Sequence, residues 1–347
     1  MISFVSKFRG DDEDWLNFEG RHNKGPKGRK SKKKTGLILL PSKEKNAVVT
    51  AIHPDGCTVQ TQTDNSLLCT YRRTLINQLK AEKGSDDEIG SERTPVAVGD
   101  YVVIKGIDEK TGVVEALCRR KNQLTRPAPG RPGQFHVIAA NLDLVVIVAS
   151  AKDPVFSEGL VDRYLVACES AQIQAVLCVT KADLIDDNEK PWELYRSLGV
   201  DVFLVTKSKP ESFDSLKKLV TGKRTAFCGH SGVGKTSALR ILTDNHIGKV
   251  GDVSDRSQKG MHTTTRAQMI QGPNNTQWID TPGVREFGLS GMTAERVKKY
   301  FPEFKNAQCE SPNCLHLDEN GCDIREKGFS RYTSYRRIVF SLLEPQD

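Results

Sequence analysis

The sequence predicts a multidomain protein made of a small closed β-barrel, a parallel α/β domain and a short metal-binding α-helical unit. Short β-rich runs fill residues 36–125, strands alternate with helices over residues 126–290, and three cysteines and a histidine cluster within residues 291–347. These three observations define the predicted domains, which follow a tail of residues 1–35. At 347 residues the chain is long enough for two or three domains.

The predicted tail is polar and ends in a strongly basic run. Arg21–Lys34 contains eight lysines and arginines and no acid. Such a run is usually a solvated, disordered tail, and it is also typical of arms that bind nucleic acid. We favour the second interpretation because the chain carries a net charge of +7 and its later part holds nucleotide-binding motifs.

The sequence predicts neither export nor membrane insertion. Asp11-Asp12-Glu13-Asp14 follows a very short apolar start, which is unlike a signal peptide. No apolar run approaches the length that spans a bilayer. Nine cysteines without an export signal favour reduced thiols. We therefore expect a cytoplasmic protein that does not bind membranes.

Residues 36–125 are predicted to form the barrel. The β-rich runs are Ala47–Ile52, Cys57–Thr61, Ser66–Tyr71, Tyr101–Ile104 and Thr111–Leu117. About five short strands indicate a closed barrel, most simply an OB-fold. OB-folds often bind oligonucleotides, and the alternative is a barrel that only positions its neighbour. Polar residues 80–95 predict a flexible loop, and the proline- and glycine-rich residues 126–133 predict a linker.

The α/β domain is predicted from alternating strands and helices. Strands are predicted at 142–150, 175–179, 202–205 and 225–228, and helices at 157–171, 191–198 and 212–220. This alternation indicates a parallel sheet that is covered by helices on both faces. Ligands of such sheets bind beyond the carboxyl ends of the strands. The motifs described next fall at those ends.

A phosphate-binding loop is predicted directly after the strand at 225–228. Gly229–Thr236 has the spacing G-x-x-x-x-G-K-[ST], and a predicted helix follows. Glycines let backbone N–H groups approach phosphate oxygens, and the N-terminus of a helix attracts anions. Lys235 would contact the β- and γ-phosphates, and the Thr236 hydroxyl would bind Mg²⁺. The alternative is a glycine-rich turn without a ligand. The predicted nucleotide contacts here are Gly229, His230, Ser231, Gly232, Val233, Gly234, Lys235, Thr236 and Ser237.

A guanine-binding motif is predicted after the strand at 175–179. Thr180-Lys181-Ala182-Asp183 matches the pattern [NT]-K-x-D. The Asp183 carboxylate can accept hydrogen bonds from guanine N1–H and the 2-amino group, and adenine lacks both donors. The alternative for Asp183 is helix capping. The Lys181 stem can cover the base while its ammonium reaches loop carbonyls. Thr206 and Lys207 are candidates for a second, backbone-mediated base contact.

The order of these motifs predicts a circular permutation. In ordinary GTPases the phosphate loop precedes the base motif, whereas here the base motif comes first. A permutation keeps every strand neighbour and changes only where the chain enters and leaves the domain. The segment after Gly283 is therefore placed to respond to the γ-phosphate.

The predicted switch residues lie on both sides of a further predicted strand at 276–279. In Asp280-Thr281-Pro282-Gly283, Asp280 would hold Mg²⁺ through water and the Gly283 N–H would contact the γ-phosphate. A threonine of 263–265 would complete the Mg²⁺ shell, and we favour Thr264. Val284 stands where many small GTPases have a water-orienting glutamine. His262 is a candidate to orient water instead, and the alternative is an exposed loop histidine.

A zinc site is predicted near the C-terminus. The spacing Cys309-x4-Cys314-x-His316-x5-Cys322 gathers three thiols and one imidazole within fourteen residues. These four ligands fill a tetrahedral Zn²⁺ site and leave no open position, so the site is predicted to be structural. The alternative is chance clustering. The remaining six cysteines lie singly in apolar runs and are predicted to be core residues.

The residues after the zinc motif mix basic and aromatic side chains. Arginines and lysines at 325, 327, 331, 336 and 337 alternate with aromatic residues at 329, 332 and 335. This composition suits RNA phosphates and splayed bases. The alternative is an amphipathic C-terminal helix with a solvated face.

Taken together, these motifs resemble those of a bacterial GTPase family. The order of the base motif, the loop Gly229–Ser237, His262–Thr265, Asp280–Phe287 and the zinc motif is similar to the small-ribosomal-subunit biogenesis GTPases called RsgA or YjeQ. The resemblance covers about residues 36–340. It implies an OB-fold, a circularly permuted GTPase domain and a zinc domain. It also implies binding of GTP and GDP, contact with 16S ribosomal RNA, and GTP hydrolysis stimulated by the small (30S) subunit in late maturation.

Within this resemblance, the predicted catalytic residues are His262 and Thr264. The predicted cofactors are one structural Zn²⁺ and one Mg²⁺ with GTP. We expect a monomer. Two other functions stay open. One is a translation- or tRNA-associated GTPase, and the other is an RNA-binding module that uses GTP as a sensor without turnover. Val284 keeps the second alternative open, because valine cannot orient water.

Overall fold

The structure is a computed structural model that describes residues 39–82, 96–127, 135–185, 190–244, 267–281, 289 and 292–343. The predictions for the basic tail, for residues 83–95 of the polar loop, for residues 128–133 of the linker and for the switch residues His262, Thr264, Gly283 and Val284 lie outside the described residues.

Five strands near the N-terminus form a closed barrel. They are β1 (Ala47–His53), β2 (Gly56–Thr61), β3 (Ser66–Tyr71), β4 (Tyr101–Gly106) and β5 (Thr111–Leu117). Their order is β1-β2-β3-β5-β4, and β4 pairs again with β1. Alternate side chains fill the interior, including the fully buried Val49, Val59, Val102 and Val114. The predicted small closed barrel is confirmed, and its assignment as an OB-fold stays a prediction.

A helix that the sequence did not predict follows the third barrel strand. This helix, α1 (Arg73–Glu82), includes the first three residues of the range predicted to be a flexible loop. Leu75 on α1 is buried in the barrel core. The flexible-loop prediction is therefore wrong for residues 80–82.

A β-hairpin follows the barrel where a linker was predicted. Strands β6 (Gln123–Pro127) and β7 (Phe135–Ala140) pair antiparallel, so Arg126 and Pro127 belong to a strand. The linker prediction is wrong for these two residues, because they pair with His136 and Phe135. The predicted domain boundaries stay predictions, and the one between residues 125 and 126 falls inside β6.

The α/β domain contributes six strands to a sheet that continues from the barrel, and a helical layer lies on each face. Its elements are β8 (Leu144–Ser150), α2 (Glu158–Ser170), β9 (Gln174–Thr180), α3 (Glu193–Ser197), β10 (Val202–Val205), α4 (Asp214–Val220), β11 (Arg224–Cys228), α5 (Lys235–Leu242), β12 (Gln268–Gln271) and β13 (Gln277–Asp280). The strand order is β10-β9-β8-β11-β13-β12, and all pairs are parallel except β12 with β13. Separate buried clusters lie on the two faces. The predicted two-faced parallel sheet is confirmed.

Strand β11 occupies the centre of this sheet although three of its strands precede it in the chain. It pairs with β8 on one side and β13 on the other. Because β8, β9, β10, β11 and β13 are parallel, their carboxyl ends share one edge of the sheet. The base motif after β9, the phosphate loop after β11 and Asp280 at the end of β13 therefore meet at this edge.

The barrel is joined to the opposite end of β11 by a buried arginine. Arg224, the first residue of β11, donates from Nη1 to the Gly99 carbonyl at 2.9 Å and from Nε to Gln277 Oε1 at 2.7 Å. Asn141 Nδ2 donates to the same Gly99 carbonyl at 2.9 Å. A β-carbon at Gly99 would lie 2.2 Å from the Ala140 carbonyl oxygen, so only glycine allows this approach. Polar contacts thus hold the barrel against the base of the phosphate-loop strand.

Among its described residues, the C-terminal unit contains three α-helices, and it packs against the α/β domain. They are α6 (Ala294–Val297), α7 (Asp323–Lys327) and α8 (Tyr332–Leu343), and α8 packs against α2. In the part of the chain that the structure describes, every helix is too short or too polar to cross a bilayer.

A buried ion pair fixes this C-terminal unit to α2. Arg331 Nε lies 2.7 Å from Asp162 Oδ1, and the two side chains are 4% and 0% exposed. Arg331 Nη1 also lies 3.2 Å from Glu303 Oε1, and its guanidinium lies 4.4 Å from the centre of the Phe301 ring. Planar guanidinium groups suit this combination of carboxylates and an aromatic face.

Replacing Arg331 by methionine should lower the free energy of unfolding by about 3–5 kcal/mol, because the Asp162 carboxylate would stay buried without its counter-charge. Urea unfolding followed by tryptophan fluorescence measures the change. Arg337→Met is the matched control, since Arg337 is an exposed arginine six residues further along the chain, on α8. Equal stability of the two variants would contradict the structural role of the pair.

Candidate nucleotide-binding site and metal centre

The phosphate loop connects β11 to α5 in a conformation that requires glycine. A β-carbon at Gly229 would lie 2.2 Å from the Val148 carbonyl oxygen. Gly234, the residue before α5, has φ 88°, in the left-handed region. Val233 is buried in the core, whereas His230 and Ser231 are exposed. The free N-terminus of α5 is therefore open to an anion.

Lys235 and Asp280 lie together where β11 and β13 end. Lys235 Nζ is 3.5 Å from the Thr281 carbonyl oxygen, and the Thr281 hydroxyl donates to the Phe227 carbonyl at 2.7 Å. Burial raises the pKa of Asp280, although the Lys235 ammonium opposes this shift. Asp280 Oδ1 is buried and has no hydrogen-bond partner among the described residues. A carboxylate oxygen left without a partner in a buried position fits a cation ligand.

Thr180 and Lys181 connect the base motif directly to the phosphate loop. The Thr180 hydroxyl lies 2.5 Å from the Val233 carbonyl oxygen and 3.3 Å from that of Ala149. Lys181 Nζ donates to the Gly232 carbonyl at 3.2 Å and also to the Asp153 carbonyl. The ammonium of Lys181 thus reaches loop carbonyls in the way that the sequence predicts.

Asp183 is exposed and is held by a neighbouring threonine. Thr206 Oγ1 donates to Asp183 Oδ1 at 2.6 Å. This hydrogen bond lowers the pKa of Asp183, so the side chain is an ionised acceptor at neutral pH. The sequence suggested a backbone contact from Thr206 to the base, and the structure adds a side-chain contact to Asp183. Lys207 is exposed beside it, and Ala182 is half-buried.

The described site residues therefore gather at one edge of the sheet. Thr236 and Ser237 are exposed in the first turn of α5, next to Lys235. The structure also brings in residues to which the sequence analysis gave no role, namely Asp153, Ser208, Ser212 and Thr281. Asp153 follows the carboxyl end of β8, so the general rule for parallel sheets could have indicated it. Ser212 lies before α4, and no sequence signal connects it to Asp183.

The four predicted metal ligands come together in the C-terminal unit. The ligand atoms of Cys309, Cys314, His316 and Cys322 all lie within 4.8 Å of one another. His316 Nδ1 is 3.4 Å from Cys309 Sγ and 3.6 Å from Cys322 Sγ. Sulfur and nitrogen ligands of tetrahedral zinc lie about 3.5 Å apart, given Zn–S and Zn–N bonds of about 2.3 and 2.0 Å. The cluster could therefore hold a metal such as zinc.

Side chains around the cluster hold the loop that supplies its ligands. Tyr332 Oη donates to the His316 carbonyl at 2.9 Å, and Tyr335 Oη donates to the Leu315 carbonyl at 2.6 Å. Glu319 accepts the N–H groups of Leu315 and Leu317 at 2.7 and 2.8 Å. Burial lowers the pKa of His316, which favours the neutral imidazole that metals bind.

These contacts correct part of the prediction that the C-terminal aromatic and basic residues form an RNA-binding face. Tyr335 is fully buried and Arg331 is 4% exposed. Both face the interior because one holds the metal loop and the other pairs with Asp162. Arg325, Lys327 and Arg337 remain exposed.

Comparison with known proteins decides the family. The model of the RsgA GTPase family matches residues 117–290. The chain belongs to this family. It is 34% identical over 263 residues to a protein named small ribosomal subunit biogenesis GTPase RsgA from Azobacteroides pseudotrichonymphae, covering 73% of this chain and 85% of that protein. A protein of the same name from Haemophilus influenzae strain PittGG is 32% identical over 325 residues, covering 88% and 87%.

Solved structures agree with this placement. The crystal structure of YjeQ from Thermotoga maritima matches with a TM-score of 0.63 and 26% identity, over 87% of this chain and 99% of that one. The structure of YloQ, described as a circularly permuted GTPase, matches with a TM-score of 0.58 and 25% identity, over 89% and 97%. The predicted family and the predicted permutation are confirmed, and the chain is a GTP-hydrolysing enzyme.

Proposed function

We propose that this GTPase binds the small (30S) ribosomal subunit and that the bound subunit stimulates hydrolysis of GTP during late maturation. One observation carries the proposal: Thr180 and Lys181 join the base motif to the phosphate loop in a chain whose relatives are named small ribosomal subunit biogenesis GTPases. GTP would order the switch residues and favour the bound state, and hydrolysis would release the protein.

In the proposed site, each described residue has a separate role. The N–H groups of residues 229–234 and the Lys235 ammonium bind the phosphates, and Asp183 accepts the guanine donors. Thr236 and Asp280 would hold Mg²⁺, which neutralises the charge that develops on the phosphate oxygens. The orphaned Asp280 Oδ1 supports this assignment. We retain Thr206, Lys207 and Ser237 as nucleotide contacts, Thr264 and Gly283 as switch contacts, and His262 as the residue that orients water.

We further propose that the metal of the Cys309 cluster is one structural Zn²⁺. Three thiolates and one imidazole fill the tetrahedron and leave no position for water or substrate. The bonds from Tyr332 and Tyr335 to the ligand loop support a structural role.

The proposed partner is 16S ribosomal RNA within the small subunit. A net charge of +7 favours association with a polyanion, and the barrel is of a shape that often binds oligonucleotides. We propose a cytoplasmic location because the names of the relatives refer to ribosome biogenesis. We also retain the prediction of a monomer.

GTP hydrolysis by the purified protein, alone and with isolated small or large subunits, tests the proposal. We expect strong stimulation by small subunits and none by large subunits. Stimulation by large subunits would instead indicate a translation-factor role. No stimulation by either would indicate a nucleotide sensor and would contradict the proposal.

Replacing Asp183 by asparagine should weaken GTP binding by about 100-fold, because the amide cannot accept both guanine donors and its own NH₂ group faces one of them. Xanthosine triphosphate should bind this variant better than GTP, since xanthine presents an oxygen in place of the 2-amino group. Equilibrium binding of both nucleotides measures the change. Asp214→Asn, an exposed aspartate at the start of α4, is the control. Wild-type GTP affinity in Asp183→Asn would refute the base pocket.

A further inference from the structure

A serine hydroxyl and two backbone hydrogen bonds close the turn that follows β10, and this turn carries Thr206. Ser212 Oγ accepts the Thr206 N–H at 3.0 Å and donates to the Lys209 carbonyl at 2.6 Å. The Lys209 N–H donates to the Thr206 carbonyl at 3.2 Å. Ser212 is half-buried, and the adjacent Phe213 is anchored in the core. Ser212 therefore holds the turn from its inner side and connects it to a rigid part of the domain.

A chain of hydroxyl groups leads from this turn to the base-reading carboxylate. Thr206 Oγ1 donates its proton to Asp183 Oδ1 at 2.6 Å. The same oxygen lies 3.0 Å from Ser208 Oγ. The Ser208 side chain also hydrogen-bonds to the Asp183 carboxylate, so two hydroxyl groups of this turn contact it. Hydrogen bonds linked in this way polarise one another, which strengthens the bond that Asp183 accepts.

The orientation of Asp183 bears directly on which base is selected. An ionised carboxylate offers about four lone-pair positions, and Thr206 occupies one of them on Oδ1. Ser208 also bonds to this carboxylate. Guanine needs two acceptor positions on it, one for N1–H and one for the 2-amino group. Asp183 is exposed, so little packing restrains its side chain. A carboxylate already held in its binding orientation loses less rotamer freedom when the base arrives.

We infer that Ser212 is a positioning residue for guanine selection, which acts through Thr206 and Asp183 without touching the nucleotide. The inference rests on the proposed placement of guanine at Asp183. Loss of the Ser212 hydroxyl leaves the Thr206 N–H without this bond, whereas the Lys209 carbonyl still accepts the Ser212 N–H at 2.9 Å. The turn then loosens, and Asp183 loses its fixed orientation. We expect the hydrogen bond to the 2-amino group to weaken most. It forms only when one carboxylate oxygen faces that group while the other faces N1–H.

Binding of GTP and of inosine triphosphate, which lacks the 2-amino group, tests this inference. In Ser212→Ala we expect roughly five- to tenfold weaker GTP binding, as one charge-assisted hydrogen bond is impaired. The affinity for inosine triphosphate should fall much less, so that the ratio of the GTP affinity to the inosine triphosphate affinity decreases. The kcat at saturating GTP should stay unchanged while KM rises, because the phosphate loop is intact. Ser212→Thr should restore the preference, and Ser215→Ala, an exposed serine on α4, is the matched control.

Equal weakening of both nucleotides, or unchanged GTP affinity, would overturn the role of Ser212. If Ser212→Ala fails to fold, Thr206→Val breaks the same chain one step closer to Asp183 and should narrow the preference equally. Asp183→Asn distinguishes a failure of the proposed guanine site from a failure of the positioning role of Ser212. Wild-type GTP affinity in that variant would overturn the placement of guanine itself, whereas reduced affinity there with an unaffected Ser212→Ala would overturn only the positioning role.

Discussion

Replacing Lys235 by alanine should lower the rate of GTP hydrolysis by about 10²–10³-fold, which is the usual cost of removing one preorganised group that stabilises charge in the transition state. Lys235 is the first residue of α5, directly after the phosphate-loop glycine Gly234. Its ammonium lies 3.5 Å from the Thr281 carbonyl oxygen, next to Asp280. In phosphoryl transfer, most of the catalysis comes from positioning and electrostatic stabilisation. The loss should therefore appear in kcat and in nucleotide affinity together.

Single-turnover hydrolysis with saturating GTP, with and without small subunits, measures this effect. Lys218→Ala is the matched control, since Lys218 is an exposed lysine on α4, away from the phosphate loop. Urea unfolding of the variant serves as the folding control, because Lys235 lies beside the buried Asp280 carboxylate. Turnover within about threefold of the wild type would contradict the role of the loop in phosphate binding.

Removing the zinc ion that we propose for the Cys309 cluster should unfold the ligand loop of the C-terminal unit. Structural zinc contributes about 10–16 kcal/mol of apparent binding free energy in zinc-finger peptides, which exceeds the whole stability of many domains. Here the four ligands hold residues 309–322, a segment whose loop backbone also relies on Tyr332, Tyr335 and Glu319. Cys314→Ser should therefore lose the metal, and a strong chelator should have the same effect on the wild type.

The number of reactive thiols reports this unfolding directly. The native zinc-loaded protein should expose few of its nine cysteines, because the six outside the cluster are all buried. Chelation should release three thiols and leave those six protected. Cys118→Ala, a buried cysteine outside the cluster, should retain one zinc per chain and serves as the control. One bound zinc and wild-type stability in Cys314→Ser would show that the cluster does not hold the metal as proposed.

Much of the nucleotide site could be predicted because its residues form local motifs. Phosphate binding needs glycines, a lysine and a hydroxyl within eight positions, and the chain presents them as Gly229–Thr236. The zinc ligands are similarly close in sequence, so their spacing alone indicated the cluster. The barrel and the parallel sheet followed from strand periodicity and from the alternation of strands and helices.

The errors arose where a structure or a function was inferred from composition alone. Arg331 and Tyr335 have the residue types of an RNA-binding surface, yet both are buried because their partners, Asp162 and the Leu315 carbonyl, lie in other segments. Arg126 and Pro127 have the composition of a linker, yet they pair in a hairpin. Pairing and burial depend on distant residues, and composition does not reveal them.

The sequence by itself determined the chemistry that this protein can perform, because the phosphate loop, the base motif and the zinc ligands each lie within a few consecutive residues. Only the tertiary structure decided how these parts work together. It brought Thr180 and Lys181 within hydrogen-bond distance of the phosphate loop. It likewise brought Thr206 to Asp183 and Arg331 to Asp162. The physical reason is that a hydrogen bond or ion pair depends on distances of about 3 Å between atoms, and chain folding sets those distances for residues far apart in sequence.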